Sequence, residues 1–309
     1  MKTAFLFSGQ GAQTIGMMRD IAENSPAAKE VFKLADSLLG RSISSLCFDG
    51  PQDALNLTHN TQPCLLAAEL AAYAALEEKG IKPDATAGFS LGEYAALAAA
   101  GVINIEDAFR IIQIRADAMQ DACPVGKGGM AAITKQDAET VQNLCDEAEG
   151  YVVPVNFNCP GQIVISGEAD AVDQVCTIAK SRKIRAVKLP VSVPSHCALM
   201  SPAADKLAEA FKTVAFHAPA LPCYSDVDAL PYTKETDVAE QLCRQVQSPV
   251  LWEKLLRNLY ADGVRNFVEI GPGSTLSKFV SKTLIFDDVC ILNIADQENF
   301  EKTLEAIRG

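Results

Sequence analysis

Three times along the chain, a short apolar run ends in a glycine-rich turn and is followed by a helical pattern. The runs are residues 3–7, 85–88 and 267–270. A short apolar run bounded by turn residues is typical of a buried strand. Strands that alternate with helices form parallel sheets with helices on both faces. The sequence therefore predicts an α/β fold built on a parallel sheet, with further helices at residues 64–79, 93–100 and 105–119.

Between residues 126 and 190 the elements become shorter and change their order. The pattern predicts strands at 130–133, 152–157, 163–166 and 186–191, with helices at 136–149 and 169–181. A βαββαβ order is typical of a ferredoxin-like unit. Because the apolar helix pattern resumes after residue 201, we expect this unit to be inserted into the larger domain. The predicted domains are 1–125 with 197–309, α/β-hydrolase-like, and 126–196, ferredoxin-like, with a ligand cleft between them.

Charge and composition exclude several classes of protein. The chain has 27 Lys+Arg against 39 Asp+Glu, a net charge of -12, which argues against binding nucleic acid. The apolar run at residues 4–7 is too short for a signal-peptide core, and no segment reaches the ~20 apolar residues of a membrane span. Ten scattered cysteines without a C-x-x-C pair indicate reduced core residues. We expect a soluble, cytoplasmic protein without a metal site, and no membrane partner.

The most specific chemical motif is G-x-S-x-G, formed by Gly88, Ser90 and Gly92. It lies between a predicted strand and a predicted helix, which is the context of a nucleophile elbow. A sharp turn there exposes the serine hydroxyl, and small neighbours leave room for it. The following helix directs its backbone N–H groups towards the reacting atoms. The motif therefore predicts Ser90 as a catalytic nucleophile.

A serine hydroxyl needs a base, and the chain has only three histidines, His59, His196 and His217. His196 lies where the inserted unit ends, at the predicted cleft, and is the predicted base. No Asp or Glu stands in a distinctive turn between Ser90 and His196 in the large domain, so the usual acid of a triad is not evident. A backbone carbonyl could orient the imidazole instead. This departs from ordinary esterases and favours another kind of acyl-transfer enzyme.

Seven ordered motifs together carry a family resemblance. They are residues 7–13 (FSGQGAQ), 88–94 (GFSLGEY), 113–115 (QIR), 155–162 (VNFNCPGQ), 193–200 (VPSHCALM), 245–252 (QVQSPVLW) and 271–273 (GPG). On these motifs, which extend from the first strand to about residue 279, the chain resembles the malonyl-CoA:acyl carrier protein transacylases. These belong to the acyltransferase family of fatty acid and polyketide synthesis.

The resemblance implies roles for individual residues. Ser90 would be the acylated nucleophile and His196 its base, with the imidazole oriented by a backbone carbonyl near Gln245. The backbone N–H groups of Gln10 and Leu91 would form the oxyanion hole. Two turns that converge at the ends of buried strands could supply such a pair of donors.

Substrate binding follows from the same resemblance. Arg115 would hold the free carboxylate of a malonyl group, a task for which the planar guanidinium suits better than an ammonium group. Gln62, Met119 and Asn158 would line the acyl pocket. The implied reaction moves a malonyl group from malonyl-CoA to the phosphopantetheine thiol of acyl carrier protein, for fatty acid synthesis. No further cofactor is implied, and we expect a monomer.

Two positions depart from the family pattern, and four alternatives stay open. The family usually has His where this chain has Phe89, and Pro where it has Ser8. A polyketide-synthase acyltransferase acting in trans and a serine esterase share the elbow. A non-catalytic module that binds carrier protein would carry no acyl group on Ser90. A dinucleotide-binding protein is disfavoured, because Gly16 is displaced from the G-x-G-x-x-G position.

The implied partner, acyl carrier protein, is acidic, as is this chain, so docking requires a local group of cations. The densest such group, with no Asp or Glu between residues 176 and 190, consists of Lys180, Arg182, Lys183, Arg185 and Lys188. The alternative is Lys278 with Lys282, four residues apart after residues 271–273. We call these the 180–188 cations and the 278/282 pair.

Overall fold

The computed structural model describes residues 1–124, 126–191 and 193–308. Its strands are β1 (Lys2–Phe7), β2 (Ala85–Gly88), β3 (Gly128–Thr134), β4 (Val152–Cys159), β5 (Gln162–Glu168), β6 (Arg185–Lys188), β7 (Cys223–Tyr224), β8 (Val264–Ile270) and β9 (Cys290–Ile294). Its helices are α1 (Arg19–Asn24), α2 (Pro26–Leu39), α3 (Ile43–Asp49), α4 (Gln52–Leu55), α5 (Thr58–Glu78), α6 (Gly92–Ala99), α7 (Ile105–Ala122), α8 (Ala138–Asp146), α9 (Ala169–Ser181), α10 (Ser201–Phe211), α11 (Val238–Gln245), α12 (Trp252–Ala261), α13 (Thr275–Thr283) and α14 (Gln297–Arg308).

The larger sheet is parallel, with strand order β7-β2-β1-β8-β9. The three strands predicted from the glycine-rich turns, β1, β2 and β8, lie side by side at its centre. Phe7 pairs with Gly88 on one side and with Ile270 on the other, so all three turns begin at the same edge. This confirms the predicted α/β fold and explains how distant segments of chain meet.

Side chains of β1 alternate between two cores, as a buried strand requires. Phe5 and Phe7 belong to the core beneath α2, α5 and α7, whereas Ala4 and Leu6 belong to the core beneath α12 and α13. Helices therefore cover both faces of the sheet. Seven of the ten cysteines are buried, which fits their predicted part as core residues.

The smaller sheet is antiparallel, with strand order β4-β5-β3-β6 and with α8 and α9 packed against it. The order in the chain is βαββαβ, so the predicted ferredoxin-like unit is confirmed. Its strands start and end within four residues of the predicted bounds. The domain division itself stays a prediction, and the boundary at residue 125 lies outside the described residues.

One helix begins earlier than predicted. α5 starts at Thr58 rather than at residue 64, because Pro63 is accommodated inside it. A proline in a helix leaves the carbonyl four residues earlier without its usual donor, here that of His59. The guanidinium of Arg41 donates to this carbonyl at 2.9 Å, and Gln113 donates at 3.4 Å. Contacts between distant parts of the chain therefore stabilise the helical turn before Pro63.

A close approach explains the glycine that follows the elbow serine. A Cβ atom on Gly92 would lie 2.3 Å from the carbonyl oxygen of Ser8 and 2.5 Å from that of Phe7. These are backbone atoms at the end of the central strand β1, and moving them would disturb the packing of the sheet. Gly92 thus lets α6 begin directly against β1. Within the described residues, no helix is both long and apolar enough to cross a membrane.

Candidate active site

Ser90 stands at the tip of the turn between β2 and α6, in a left-handed backbone conformation with φ of 56°. Non-glycine residues rarely adopt this region, and at a strand-to-helix turn it is the strained geometry of a nucleophile elbow. The backbone N–H of Ser90 donates to Asp226 Oδ2 at 2.7 Å. The backbone carbonyl of Ser90 accepts from Gln245 Nε2 at 2.8 Å. Both backbone groups of the strained residue are therefore fixed by buried side chains.

The imidazole of His196 lies against the Ser90 hydroxyl, with Nε2 2.8 Å from Ser90 Oγ. The other ring nitrogen, Nδ1, lies 2.9 Å from the backbone carbonyl oxygen of Gln245. A carbonyl can only accept, so Nδ1 carries the proton and Nε2 is left free to accept the serine proton. The structure thus brings together the predicted nucleophile, the predicted base and the predicted orienting carbonyl.

Burial lowers the pKa of His196 to about 4, and the positive charge of Arg115 adds to this effect. The imidazole is therefore neutral at neutral pH and available as a base. The other two histidines lie elsewhere: His59 is on α5, and His217 lies near Val102, to whose carbonyl its backbone N–H donates.

The guanidinium of Arg115, on α7, is 1% exposed and points at the serine. Its Nη2 donates to Ser90 Oγ at 3.0 Å and to Gln245 Oε1 at 3.2 Å, while Nη1 donates to Gln62 Oε1 at 2.7 Å. The guanidinium carbon also lies 5.5 Å from the ring centre of Tyr94. These partners are neutral groups, so the cation is placed to bind an anionic group of an acyl chain on Ser90.

The backbone N–H groups of Gln10 and Leu91 lie in the first and second glycine-rich turns, beside β1 and β2. Within the described chain, neither N–H donates a hydrogen bond to a protein acceptor. Leu91 directly precedes α6, so its N–H adds to the positive end of that helix. Gln10 lines the cavity that contains Ser90. The two groups are therefore free for an oxyanion, as the resemblance implies.

The cavity around Ser90 lies between the two sheets, with Met130 and Asn156 on the smaller one. Met119 lines it as predicted, and Gln62 is bonded to both Arg115 and Met119. Asn156 lines it as well, whereas the place of Asn158 in the acyl pocket stays a prediction. Both asparagines lie on β4 and line the adjoining cavity, which shares Gln10 and Phe89 with the cavity around Ser90.

The two departures from the family pattern lie at the same edge of the sheet. Phe89 lines both cavities and packs edge-on against Trp252, with ring centres 5.3 Å apart. Ser8 donates from its hydroxyl to the buried carboxyl of Glu69 at 2.7 Å. Neither contact removes a group that bonds to Ser90 or His196.

Sequence reasoning missed two buried acids beside the elbow, Glu93 and Asp226, both 0% exposed. Glu93 accepts from Gln245 Nε2 at 2.5 Å and from the Tyr232 hydroxyl at 2.6 Å. A charged residue inside the alanine-rich start of α6 could have indicated Glu93. Asp226 follows the two-residue strand β7, which is too short to predict, although its carboxyl end meets the same edge of the sheet.

This fold and this arrangement of serine, histidine and backbone donors define the acyltransferase class. The family model for the acyl transferase domain matches residues 4–307. The malonyl CoA-acyl carrier protein transacylase of Escherichia coli K12 is 46% identical over 278 residues, covering 89% of this chain and 90% of that protein. The Bacillus subtilis 168 transacylase is 42% identical over 311 residues, covering 99% and 98%.

Solved structures of the same class of enzyme are similar to this chain over its whole length. The transacylase from Clostridium perfringens superposes with a TM-score of 0.95 at 39% identity, covering 100% of this chain and 98% of that one. A malonyl-transacylase in complex with a type II polyketide synthase acyl-carrier protein superposes with a TM-score of 0.95 at 38% identity, covering 99% and 100%. The chain belongs to the acyl transferase domain family.

The pH dependence of Ser90 reactivity follows from the low pKa of His196. The imidazole is the acceptor of the serine proton, and it stays neutral until the pH falls to about 4. We expect the rate of modification by phenylmethanesulfonyl fluoride to be flat down to about pH 5.5 and to halve near pH 4. Intact mass measured over time gives the rate. A midpoint near the ordinary imidazole value of about 6.5 would contradict a fully buried base.

Proposed function

We propose that the protein transfers a malonyl group from malonyl-CoA to the phosphopantetheine thiol of acyl carrier protein through a malonyl-Ser90 intermediate. The observation that carries this proposal is the position of Ser90 Oγ, 2.8 Å from the His196 base and 3.0 Å from the Arg115 cation. A nucleophile between a base and a buried cation suits an acyl group that bears a carboxylate.

The first half of the reaction forms the acyl-enzyme. Ser90 Oγ attacks the thioester carbonyl of malonyl-CoA while its proton moves to His196 Nε2. The backbone carbonyl of Gln245 stabilises the imidazolium, and the N–H groups of Gln10 and Leu91 bind the oxyanion. The carbon–sulfur bond then breaks, and coenzyme A leaves with the proton from His196. The second half runs in reverse, with the phosphopantetheine thiol as the nucleophile.

Arg115 distinguishes this proposal from an ordinary esterase. An apolar acyl pocket suits a simple ester, whereas a buried guanidinium is costly unless an anion or a set of dipoles stabilises it. The malonyl carboxylate takes up two of its N–H donors, in place of Ser90 Oγ and one amide oxygen. The serine esterase is therefore the weaker alternative.

The pathway is the finer part of the proposal. Fatty acid synthesis is proposed first. The polyketide pathway is the alternative, because the similar proteins include a malonyl-transacylase in complex with a type II polyketide synthase acyl-carrier protein. The cytoplasmic location and the monomeric state stay predictions of the sequence.

The direct test is acylation without an acceptor. Incubation with malonyl-CoA should add one malonyl group to the wild-type protein, detected by intact mass, and none to Ser90→Ala. Acetyl-CoA in parallel should give much less adduct, because it lacks the carboxylate. An undiminished adduct on Ser90→Ala, or none on the wild type, would overturn the proposal.

A second test concerns the selectivity of Arg115. A charge-assisted pair contributes ~1.5 to 3 kcal/mol, so Arg115→Ala should lower kcat/KM for malonyl-CoA roughly 10- to 150-fold. Acetyl transfer should fall much less. Arg110→Ala is the matched control, because Arg110 is an exposed arginine on the same helix. Equal losses for malonyl and acetyl transfer would make Arg115 a general structural residue.

The docking surface for the carrier protein is also proposed, at the 278/282 pair. Both lysines are exposed on α13, and the first turns of that helix line the cavity next to Ser90. Among the 180–188 cations, Arg182 is paired with Glu147 at 2.5 Å and Lys188 with Asp173 at 2.5 Å. These ion pairs weaken the local positive potential there, so the 278/282 pair is the better candidate for an acidic partner.

Two charge-reversal variants decide between the surfaces. Lys278→Glu with Lys282→Glu should raise KM for carrier protein roughly tenfold, while acylation by malonyl-CoA stays unchanged. Arg182→Glu with Lys183→Glu changes the net charge equally and should leave KM within about twofold. Steady-state transfer at low salt measures both. The opposite result would place the carrier protein at the 180–188 cations.

A further inference from the structure

The two buried acids beside the elbow, Glu93 and Asp226, have no part in the proposed reaction, yet both contact the groups that hold Ser90. Asp226 Oδ2 accepts the Ser90 N–H at 2.7 Å. Glu93 Oε2 accepts from Gln245 Nε2, which also donates to the Ser90 carbonyl. The backbone N–H of Asp226 also donates to Glu93 Oε2 at 3.5 Å, so the two acids are neighbours. The acid pair therefore lies directly behind the nucleophile.

Charge balance indicates how many protons the pair holds. Within the described residues, one cation lies near the acid pair. It is Arg115, which is connected to the pair through the side chain of Gln245. His196 is neutral, and the nearby hydroxyls of Tyr94 and Tyr232 are neutral as well, because burial raises the pKa of both. One negative charge balances Arg115, and two adjacent carboxylates would repel in a buried site. The pair therefore holds one proton.

The hydrogen bonds indicate which acid holds that proton. Glu93 accepts from the Tyr232 hydroxyl on Oε1 and from Gln245 on Oε2, a pattern that suits an ionised carboxylate. Asp226 Oδ1 is buried and has no donor within the described chain. A proton on this oxygen, donated to Glu93, satisfies it. Burial raises the pKa of Asp226 well above its ordinary value, and the negative charge of Glu93 raises it further.

We propose that Asp226, as a neutral carboxylic acid, is a positioning residue for the nucleophile Ser90. One carboxyl oxygen of Asp226 accepts the Ser90 N–H, and the other donates its proton to ionised Glu93. This rests on Ser90 being the nucleophile of the proposed function. The two bonds fix the elbow at its φ of 56°, so that Ser90 Oγ stays between His196 and Arg115. Glu93 supplies the negative charge that balances Arg115. A carboxyl group kept neutral by its surroundings can thus serve as a donor at neutral pH.

Substitution by the isosteric amides tests the assignment. Asp226→Asn keeps an acceptor for Ser90 and a donor for Glu93, so malonyl-Ser90 should form within about twofold of the wild-type rate. Glu93→Gln removes the negative charge and should slow it at least tenfold. Asp226→Ala removes both bonds and should also slow it at least tenfold, with KM for malonyl-CoA within about twofold. Rapid quench and intact mass measure the rates at pH 7.

The reverse order of the amide variants would overturn the proposal. A large loss in Asp226→Asn with little loss in Glu93→Gln would place the proton on Glu93. Equal rates in Asp226→Ala and the wild type would remove the positioning role. Should Asp226→Ala fail to fold, shown by its melting temperature, the two amide variants still decide.

A second reagent separates this inference from the proposed function. Phenylmethanesulfonyl fluoride reacts with an activated serine whatever the acyl donor, and its rate should follow the same order across the variants. If the wild type reacts with this reagent but not with malonyl-CoA, the proposed function fails while the positioning role is still tested. If the reagent rates do not follow the order given above, the positioning role fails.

Discussion

The burial of one positive charge organises the site. The guanidinium of Arg115 is 1% exposed, and removing an ion from water costs several kcal/mol even after relaxation. This cost is offset by contacts with the amide oxygens of Gln62 and Gln245, the ring of Tyr94 and the Ser90 hydroxyl. The same Gln245 holds the Ser90 carbonyl, and its own carbonyl orients His196. The cation, the nucleophile and the base are therefore held by one shared set of hydrogen bonds.

The parallel sheet makes this arrangement possible. In a parallel sheet the carboxyl ends of neighbouring strands meet at one edge, where ligand sites form. Here the ends of β2, β1 and β7 bring Ser90, Gln10 and Asp226 together, although 136 residues of chain separate the Ser90 N–H from its acceptor. The smaller sheet then covers this edge and supplies Met130 and Asn156 to the cavity. The relative positions of the site residues thus depend on the register of the parallel strands and on the inserted unit that covers their ends.

The sequence predicted the parts of the fold that depend on local pattern. Apolar runs that end in glycine-rich turns indicated the larger sheet, and the βαββαβ order of elements indicated the smaller one. G-x-S-x-G with a histidine after the inserted unit indicated Ser90 and His196. The start of α5 was placed too late, because the turn before Pro63 depends on Arg41 from another segment. Asp226 was missed because it follows β7, which has only two residues. What escaped prediction is contact between distant segments.

The charges of the site also couple the substrate to the base. The positive charge of Arg115 is one of the causes that lower the pKa of His196, so the free site holds a weak base. A carboxylate bound at Arg115 cancels that effect, because opposite charges at close range in a buried site largely offset each other's field. The imidazole would then accept the Ser90 proton more readily. An acyl group without a carboxylate adds no negative charge beside Arg115, and His196 stays weakly basic. Selectivity for a carboxylated acyl group would thus act on the rate of attack as well as on binding.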